Sequence, residues 1–110
     1  MNSNLWGVWK LEKYIIIEAT DVERVHDYKF GLLTYTPQGF VTVILDNFYY
    51  FGKFRIIDSK TVSHDILASS DELYIGKSLI RWVSVTDDSL TLAGTVDGKG
   101  KRKVYWRRWE

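Results

Sequence analysis

The sequence predicts an all-β protein in which eight antiparallel strands run up and down around a closed barrel. Turn residues recur at short intervals along the 110 residues, as they do in β-sandwiches and β-barrels. Aromatic residues make up 15% of the chain and proline occurs only once, a composition that favours strands over other structure. The first and last strands both carry Trp, so large side chains are available where such a sheet closes on itself.

Each predicted strand ends at residues that favour a turn. The segment Thr36-Pro37-Gln38-Gly39 suits a type I turn, and Asp97-Gly98 is a strong hairpin signal. Residues 19–29 are polar and acidic and are predicted to form a loop, whereas residues 69–72 are suited to cap one helical turn. The eight strands are predicted at residues 8–18, 31–35, 40–45, 49–57, 61–68, 77–85, 90–96 and 101–109. A single domain over residues 1–110 follows.

The composition excludes several classes of function. Cysteine is absent, which rules out disulfides, thiolate metal sites and cysteine nucleophiles. A formal net charge of +1 argues against a dedicated nucleic-acid-binding protein. The first residues are polar and uncharged, with no long apolar stretch behind them. We therefore expect no signal peptide and no membrane span, and a cytoplasmic location.

The two ends of the sequence are predicted to meet where the barrel closes. Trp9 lies on the first strand, while Trp106 and Arg108 lie on the last. A guanidinium group stacks favourably on the face of a Trp ring. We expect Arg108 to lie over Trp9 and to close one end of the barrel.

Alternation along the strands predicts which side chains face the interior, because successive residues of a strand point to opposite faces. The third strand is apolar on both faces and cannot be assigned in this way. The predicted inner faces of the other seven are Trp9, Leu11, Ile15 and Ile17; Leu33 and Tyr35; Tyr50, Gly52, Phe54 and Ile56; Val62, His64 and Ile66; Leu79, Arg81, Val83 and Val85; Leu90 and Leu92; and Val104, Trp106 and Arg108.

The predicted interior contains basic and titratable side chains, but no Asp or Glu. Lys13, His64, Arg81 and Arg108 all fall on inner faces. Burial of an unpaired charge costs several kcal/mol, so each of these groups needs compensation. The Trp9 ring provides it for Arg108.

The sequence leaves three alternative partners for the charge of Arg81. Solvent at the barrel mouth or a loop carboxylate from Asp71 or Glu72 would compensate its charge. An anionic ligand would do so as well, with a carboxylate or similar head group on Arg81. The apolar tail of that ligand would then lie inside the barrel, among Phe54, Ile56, Val62 and Leu92.

His64 has a functional and a structural interpretation. It is a candidate donor to a ligand or a general acid or base, because its ordinary pKa lies near neutrality. Alternatively it satisfies a backbone carbonyl or a Tyr hydroxyl inside the barrel, which is the more frequent arrangement. His26 falls in the predicted loop and no ligand spacing surrounds His64, so we expect no metal site and no cofactor.

Short sequence matches spread over nearly the whole chain resemble one family. They are Gly7-Val8-Trp9-Lys10-Leu11, Gly31-Leu32-Leu33-Thr34-Tyr35-Thr36-Pro37-Gln38-Gly39, Gly52-Lys53-Phe54, Thr61-Val62-Ser63-His64, Gly76, Arg81, Leu90-Thr91-Leu92 and Trp106-Arg107-Arg108. In this order they resemble a bacterial lipocalin-like domain of the calycin type. The resemblance implies a β-barrel cup that binds a small, largely apolar molecule, and some barrels of this shape serve as cyclases or isomerases.

Three functions are consistent with these observations. The first is a barrel that binds an amphipathic, anionic, hydrophobic small molecule, with candidate ligand-binding residues Lys13, Tyr35, Phe54, His64 and Arg81. The second is a cyclase or isomerase of small-molecule biosynthesis, with His64 or Tyr35 as proton donor or acceptor. The third is a packed barrel that acts through protein contacts, including a homodimer, at an outer aromatic patch formed by Trp82, Tyr105 and Trp109.

Overall fold

The computed structural model describes residues 3–18, 20–96 and 100–109 and confirms the predicted all-β, closed antiparallel barrel. Nine strands are present in these residues: β1 (Gly7–Ile17), β2 (Glu23–Val25), β3 (Gly31–Tyr35), β4 (Phe40–Leu45), β5 (Phe48–Ile56), β6 (Thr61–Ser69), β7 (Ser78–Val85), β8 (Ser89–Val96) and β9 (Gly100–Arg108). From β3 to β9 each strand pairs with the next along the chain. Pairing of β1 with both β3 and β9 closes the barrel.

The extra strand, β2, lies in the segment predicted to be a loop. β1 is 11 residues long, but β3 pairs only with its first part, Gly7 to Lys10. The remaining edge of β1 is free to pair again, and β2 takes it, with Ile15 opposite Val25. A strand of three exposed residues is too short to show alternation, so the sequence pattern could not reveal it.

A β-bulge in β1 changes which of its side chains face inward. The register with β9 shifts between Leu11 and Lys13, so that Glu12 is an additional residue on β1. Beyond the bulge Tyr14 lies opposite Val104 and faces the interior. Lys13 is exposed on the outside, and its predicted inward placement is wrong because an added residue reverses the alternation after it.

The same shift corrects two further positions of β1. Ile15 and Ile17, predicted to face inward, lie opposite Lys103 and Lys101 on the outer face of β9. Ile16 takes the inward position instead, although Ile15 and Ile16 are both buried, at 6% and 9% exposure.

The remaining predicted inner faces agree with the observed burial. The structure also assigns β4, whose inward residues are Val41, Val43 and Leu45. Ile56, the last residue of β5, is 38% exposed and contributes less to the core than predicted. The buried core is formed by Leu5, Trp9, Leu33, Tyr35, Val41, Val43, Leu45, Tyr50, Ile66, Leu79, Leu90, Leu92, Val104 and Trp106.

The predicted stacking of Arg108 on Trp9 is present at one end of the barrel. The guanidinium carbon lies 4.1 Å from the centroid of the Trp9 ring, which is completely buried. Arg108 also donates hydrogen bonds to the backbone carbonyls of Asn4, Trp6 and Asp87, over 2.6–2.9 Å. Trp9 Nε1 donates to the carbonyl of Leu5 at 3.0 Å. The segment before β1 is therefore held across this end, which we call the closed end.

Short 3₁₀ turns complete the fold at Ser3–Leu5 and Glu72–Tyr74. The second is the predicted helical turn, and the Asp71 carboxylate caps it by accepting from the backbone N–H of Leu73 at 3.0 Å. Neither of these helical segments, the only ones in the described residues, has the length and apolar character needed to cross a lipid bilayer. The predicted Asp97-Gly98 turn falls outside the described residues.

Candidate functional site

A small cavity of about 70 Å³ lies inside the barrel, towards the end opposite the Trp9–Arg108 contact. Apolar side chains from β4, β7, β8 and β9 form part of its wall. Its polar groups are hydroxyls, guanidinium groups and an indole N–H, provided by Tyr14, Tyr50, Tyr74, Arg81, Arg102 and Trp106. No Asp or Glu lines this inner cavity in the described part of the chain.

Arg81 lies on the inner face of β7 and lines the cavity, as its strand parity predicted. Its Nη1 donates to the carbonyl of Ile80 at 3.1 Å. None of the ion pairs formed by the described residues involves it. Of the loop carboxylates considered as partners, Asp71 instead caps the 3₁₀ turn. Among the described residues, the positive charge of Arg81 is thus left without a carboxylate partner.

Gly94 on β8 provides the space in which the Arg81 side chain lies. A Cβ atom at this position would collide with Nη1 of Arg81 and with the carbonyl oxygen of Ile80. Any other residue at position 94 would therefore displace the guanidinium from its present position.

Two polar residues of the cavity were missed in the sequence. Arg102 shares the inner face of β9 with Val104, and extending the alternation by one step would have found it. Tyr14 was hidden by the bulge in β1. The Arg102 guanidinium donates a hydrogen bond to the Tyr14 hydroxyl, which partly offsets the rise in the pKa of Tyr14 caused by burial.

Aromatic rings pack around Tyr14 at the same end of the barrel. The ring of Tyr28 lies edge-on to Tyr14 with centroids 4.9 Å apart, and His26 lies 4.2 Å from Tyr28. His26 is an exposed residue that packs against these tyrosines just after β2. The segment predicted to be a loop thus contributes a wall beside the mouth of the inner cavity.

His64 forms a buried network with two tyrosines. Its Nε2 lies 2.6 Å from the Tyr35 hydroxyl and its Nδ1 lies 2.7 Å from the Tyr50 hydroxyl. Burial, with a smaller contribution from the charge of Arg81, lowers the pKa of His64 from 6.5 to about 3. Burial also raises the pKa of both tyrosines. At neutral pH all three side chains are uncharged.

The network leaves one hydroxyl proton for the cavity. A neutral imidazole has one N–H donor and one acceptor nitrogen, so one tyrosine donates to His64 and the other accepts from it. Tyr35 is fully buried away from the cavity, and its hydroxyl would be an unsatisfied donor unless it donates to His64 Nε2. His64 Nδ1–H then donates to Tyr50, which lines the cavity and keeps its own O–H to donate there.

Trp106 adds a second unsatisfied donor. The ring lines the cavity and the residue is 3% exposed, yet its Nε1 has no hydrogen-bonding partner in the described residues. A buried donor without an acceptor costs about 1–3 kcal/mol. Arg81, Tyr50 and Trp106 therefore place hydrogen-bond donors in the cavity wall.

The structure separates the residues predicted to bind a ligand. Arg81 lines the inner cavity, whereas His64 and Tyr35 lie behind Tyr50 and Phe54 packs on Tyr35, with ring centroids 4.8 Å apart. Lys13 lies outside the barrel. Among the residues of known placement, no three His, Asp or Glu side chains are grouped as a metal site would require.

A larger groove of about 530 Å³ lies on the outside of the barrel beside this cavity. It runs between the 3₁₀ turn at Glu72–Tyr74 and strands β7 and β8, and it includes the side chains of Ile80 and Trp82. Three residues, Tyr74, Leu79 and Gly94, line both the groove and the inner cavity. The two spaces therefore adjoin one another.

The residues predicted to form an outer aromatic patch are all placed outside the interior. Trp82 is 60% exposed and Trp109 is 54% exposed. Lysine ammonium groups lie over two of the rings, with Lys103 at 5.5 Å from Tyr105 and Lys10 at 5.6 Å from Trp109. The interface predicted at these residues stays a prediction.

Comparison with solved structures identifies the fold. No protein-family model and no curated protein matches the sequence. A crystal structure of a lipocalin-like protein from Bacteroides uniformis is similar, with a TM-score of 0.62 and 18% identity over 97% of this chain and 100% of that chain. The fold that the sequence resemblance implied is confirmed. The chain folds as a closed antiparallel β-barrel similar to that of the lipocalin-like protein.

Proposed function

We propose that the barrel binds a small amphipathic molecule by its anionic head group, which enters the inner cavity and contacts Arg81. The observation that carries this proposal is the set of polar atoms in the cavity wall. Arg81 and Trp106 bring only donors, and the proton of Tyr50 left by the His64 network is a donor too. A carboxylate has acceptor capacity for several donors and a charge that complements arginine.

The charge balance of the cavity supports an anionic rather than a neutral head group. Arg81 lines it, and no carboxylate of the described wall opposes its charge. Hydrogen bonds to a charged partner are shorter and about twice as strong as those between neutral groups. Lys13, which lies on the outer surface, has no part in this proposal.

Catalysis by His64 or Tyr35 has less support. A general acid or base must lie within hydrogen-bonding reach of the reacting atom, and neither residue lines the cavity. A pKa of about 3 also lies far below physiological pH, which makes His64 a weak general base. His64 instead orients the Tyr50 hydroxyl, as a positioning residue.

Titration calorimetry with matched acids and methyl esters tests the proposal. We expect an aryl or alkyl carboxylate to bind at least tenfold more tightly than its ester. Arg81→Gln removes the charge and should weaken binding of the acid by about 10–100-fold, which is the contribution of a hydrogen bond to a charged group. Lys53→Gln, which removes an exposed positive charge from the outer face of β5, is the matched control and should leave binding unchanged.

Native mass spectrometry of the purified protein provides an independent measurement, because an acid that co-purifies would appear as a mass adduct. Esters that bind as tightly as acids would contradict the anionic head group. A complete lack of binding across the panel would contradict small-molecule binding itself.

A further inference from the structure

We propose that the ligand extends past Tyr74 and Leu79, with its head group in the inner cavity and its apolar body in the outer groove. This inference rests on the proposed function and adds to it the position and chemistry of the rest of the molecule. It replaces the expectation that an apolar tail lies within the barrel among Phe54, Ile56, Val62 and Leu92. Of these, only Leu92 lines the inner cavity.

The volumes of the two spaces are the first argument. The inner cavity measures about 70 Å³. Sites for cofactors and drug-sized ligands measure about 300–1,000 Å³. The inner cavity therefore admits a carboxylate but not the body of an amphipathic molecule. The groove, at about 530 Å³, has the required size.

The part of β7 that does not pair with β8 borders the passage. The register of these two strands runs from Trp82 opposite Ala93 to Val85 opposite Leu90, and it does not extend to the start of β7. Next to the last pair, the Arg81 side chain and the Ile80 carbonyl pack against Gly94, so the passage lies beside Tyr74 and Leu79. Leu79, Gly94 and Tyr74 border both spaces, so a molecule that leaves the inner cavity at this point enters the groove directly.

The surface of the groove suits an apolar or aromatic body. Leu73 is 71% exposed, Trp82 60% and Ile80 45%, and all three line it. Large apolar side chains grouped on a soluble surface commonly mark a binding site. Asp71 and Lys77 give the groove one charge of each sign, so it has no net charge to favour an ionic body. Its continuity with the donor-lined cavity indicates the same ligand as its occupant.

Indole N–H signals in ¹H–¹⁵N NMR spectra test the placement of both parts of the ligand. The probes are a series of straight-chain carboxylates from acetate to dodecanoate. Acetate should shift the signal of Trp106 alone, whereas decanoate should shift those of Trp106 and Trp82. The signal of Trp109, near the closed end where its ring packs under Lys10, is the internal control and should not move.

Affinity along the same series gives a second measurement. Each methylene buried in the groove should tighten binding by about threefold to fourfold. The double variant I80T/W82S should flatten this dependence and leave the affinity of the shortest acids unchanged. W109S, which removes an exposed Trp elsewhere, is the matched control and should preserve the full dependence.

The outcomes separate this inference from the proposed function. If no carboxylate binds, the proposed function fails. If carboxylates bind with a chain-length dependence that I80T/W82S does not alter, the inference is overturned while the proposed function stands. If light scattering shows a dimer that I80T/W82S converts to a monomer, a second copy of the chain occupies the groove, and this too overturns the inference.

Discussion

The two ends of the barrel each place an arginine beside aromatic rings, but they satisfy it very differently. At the closed end the Arg108 guanidinium stacks on Trp9 and donates to three backbone carbonyls. At the opposite end of the barrel, which we call the open end, Arg81 donates to one carbonyl, that of Ile80. Arg108 makes three hydrogen bonds and a stacking contact within the protein, whereas one hydrogen bond is shown for Arg81. This difference in partners, and not the residue type, is the reason for proposing a structural role for Arg108 and a ligand-binding role for Arg81.

The largest expected effect is at the closed end. Trp9→Ala should lower the free energy of unfolding by about 3–5 kcal/mol, because it leaves a cavity in the core and removes the surface on which Arg108 stacks. Urea unfolding followed by circular dichroism measures it. A variant that unfolds at the same urea concentration as the parent would show that Trp9 does not hold this end together.

The His64 network, between the two ends, should make stability depend on pH. The pKa of His64 is about 3 in the folded protein, and 6.5 is its ordinary value. Between these two pH values the unfolded chain therefore binds more protons at this residue than the folded protein does. Stability should therefore fall as the pH falls below 6.5, by about 1.4 kcal/mol per pH unit. Urea unfolding between pH 7.5 and 4.5 measures this slope.

The pH window isolates the histidine. Asp58 and Asp65 have lowered pKa values, so their contributions are lost only as the pH falls below the ordinary value of 3.8. Arg81→Gln should leave most of the slope, because burial is the larger cause of the shift. A histidine ring proton that titrates near pH 6.5 by NMR, assigned to His64, would contradict the neutral network.

Arg108→Lys should destabilise the protein by about 1–2 kcal/mol, less than the loss of the Trp9 ring. Lysine retains the charge but lacks the planar fork that stacks on Trp9 and reaches three carbonyls at once. Arg107→Lys, a change in an exposed residue paired with Glu12, is the matched control and should stay within about 0.5 kcal/mol of the parent. Equal losses of stability in the two variants would show that Arg108 contributes no more to the fold than an exposed arginine does.

The smallest expected effect is at the open end. Arg81→Gln should lower the free energy of unfolding by no more than about 0.5 kcal/mol, because no carboxylate in the described residues loses its partner. Thermal unfolding of the ligand-free protein measures it. Destabilisation as large as that of Arg108→Lys would show that both arginines are structural, and it would contradict the proposed difference between the two ends of the barrel.

The sequence was sufficient to predict the barrel and its closure. Alternation is a local property, and it identified the inner positions of His64, Arg81 and Arg108 without knowledge of the strand partners. It failed at Glu12, because a bulge is recognised only by comparing two paired strands. Lys13 was therefore assigned to the interior and Tyr14 was missed.

The candidate site could be predicted only in part. Arg81 was identified as an unpaired inward charge, and Arg102 was within reach of the same reasoning. The small volume of the cavity and the end of β7–β8 pairing at Trp82 depend on the packing of distant strands, which no local pattern encodes. The Tyr35–His64–Tyr50 network likewise joins β3, β5 and β6 through side-chain distances that alternation does not give.

The contacts of Arg108 with Asn4 and Trp6 join residues 104 and 102 positions apart. A loop of that length must close before these bonds can form, and proteins dominated by such distant contacts fold slowly, on the scale of milliseconds to seconds. Until β9 pairs with β1, both strands present unpaired edges to other chains, and free edges promote aggregation. The pairing of β9 with β1 that accompanies this contact therefore covers two free edges as well as sealing the barrel.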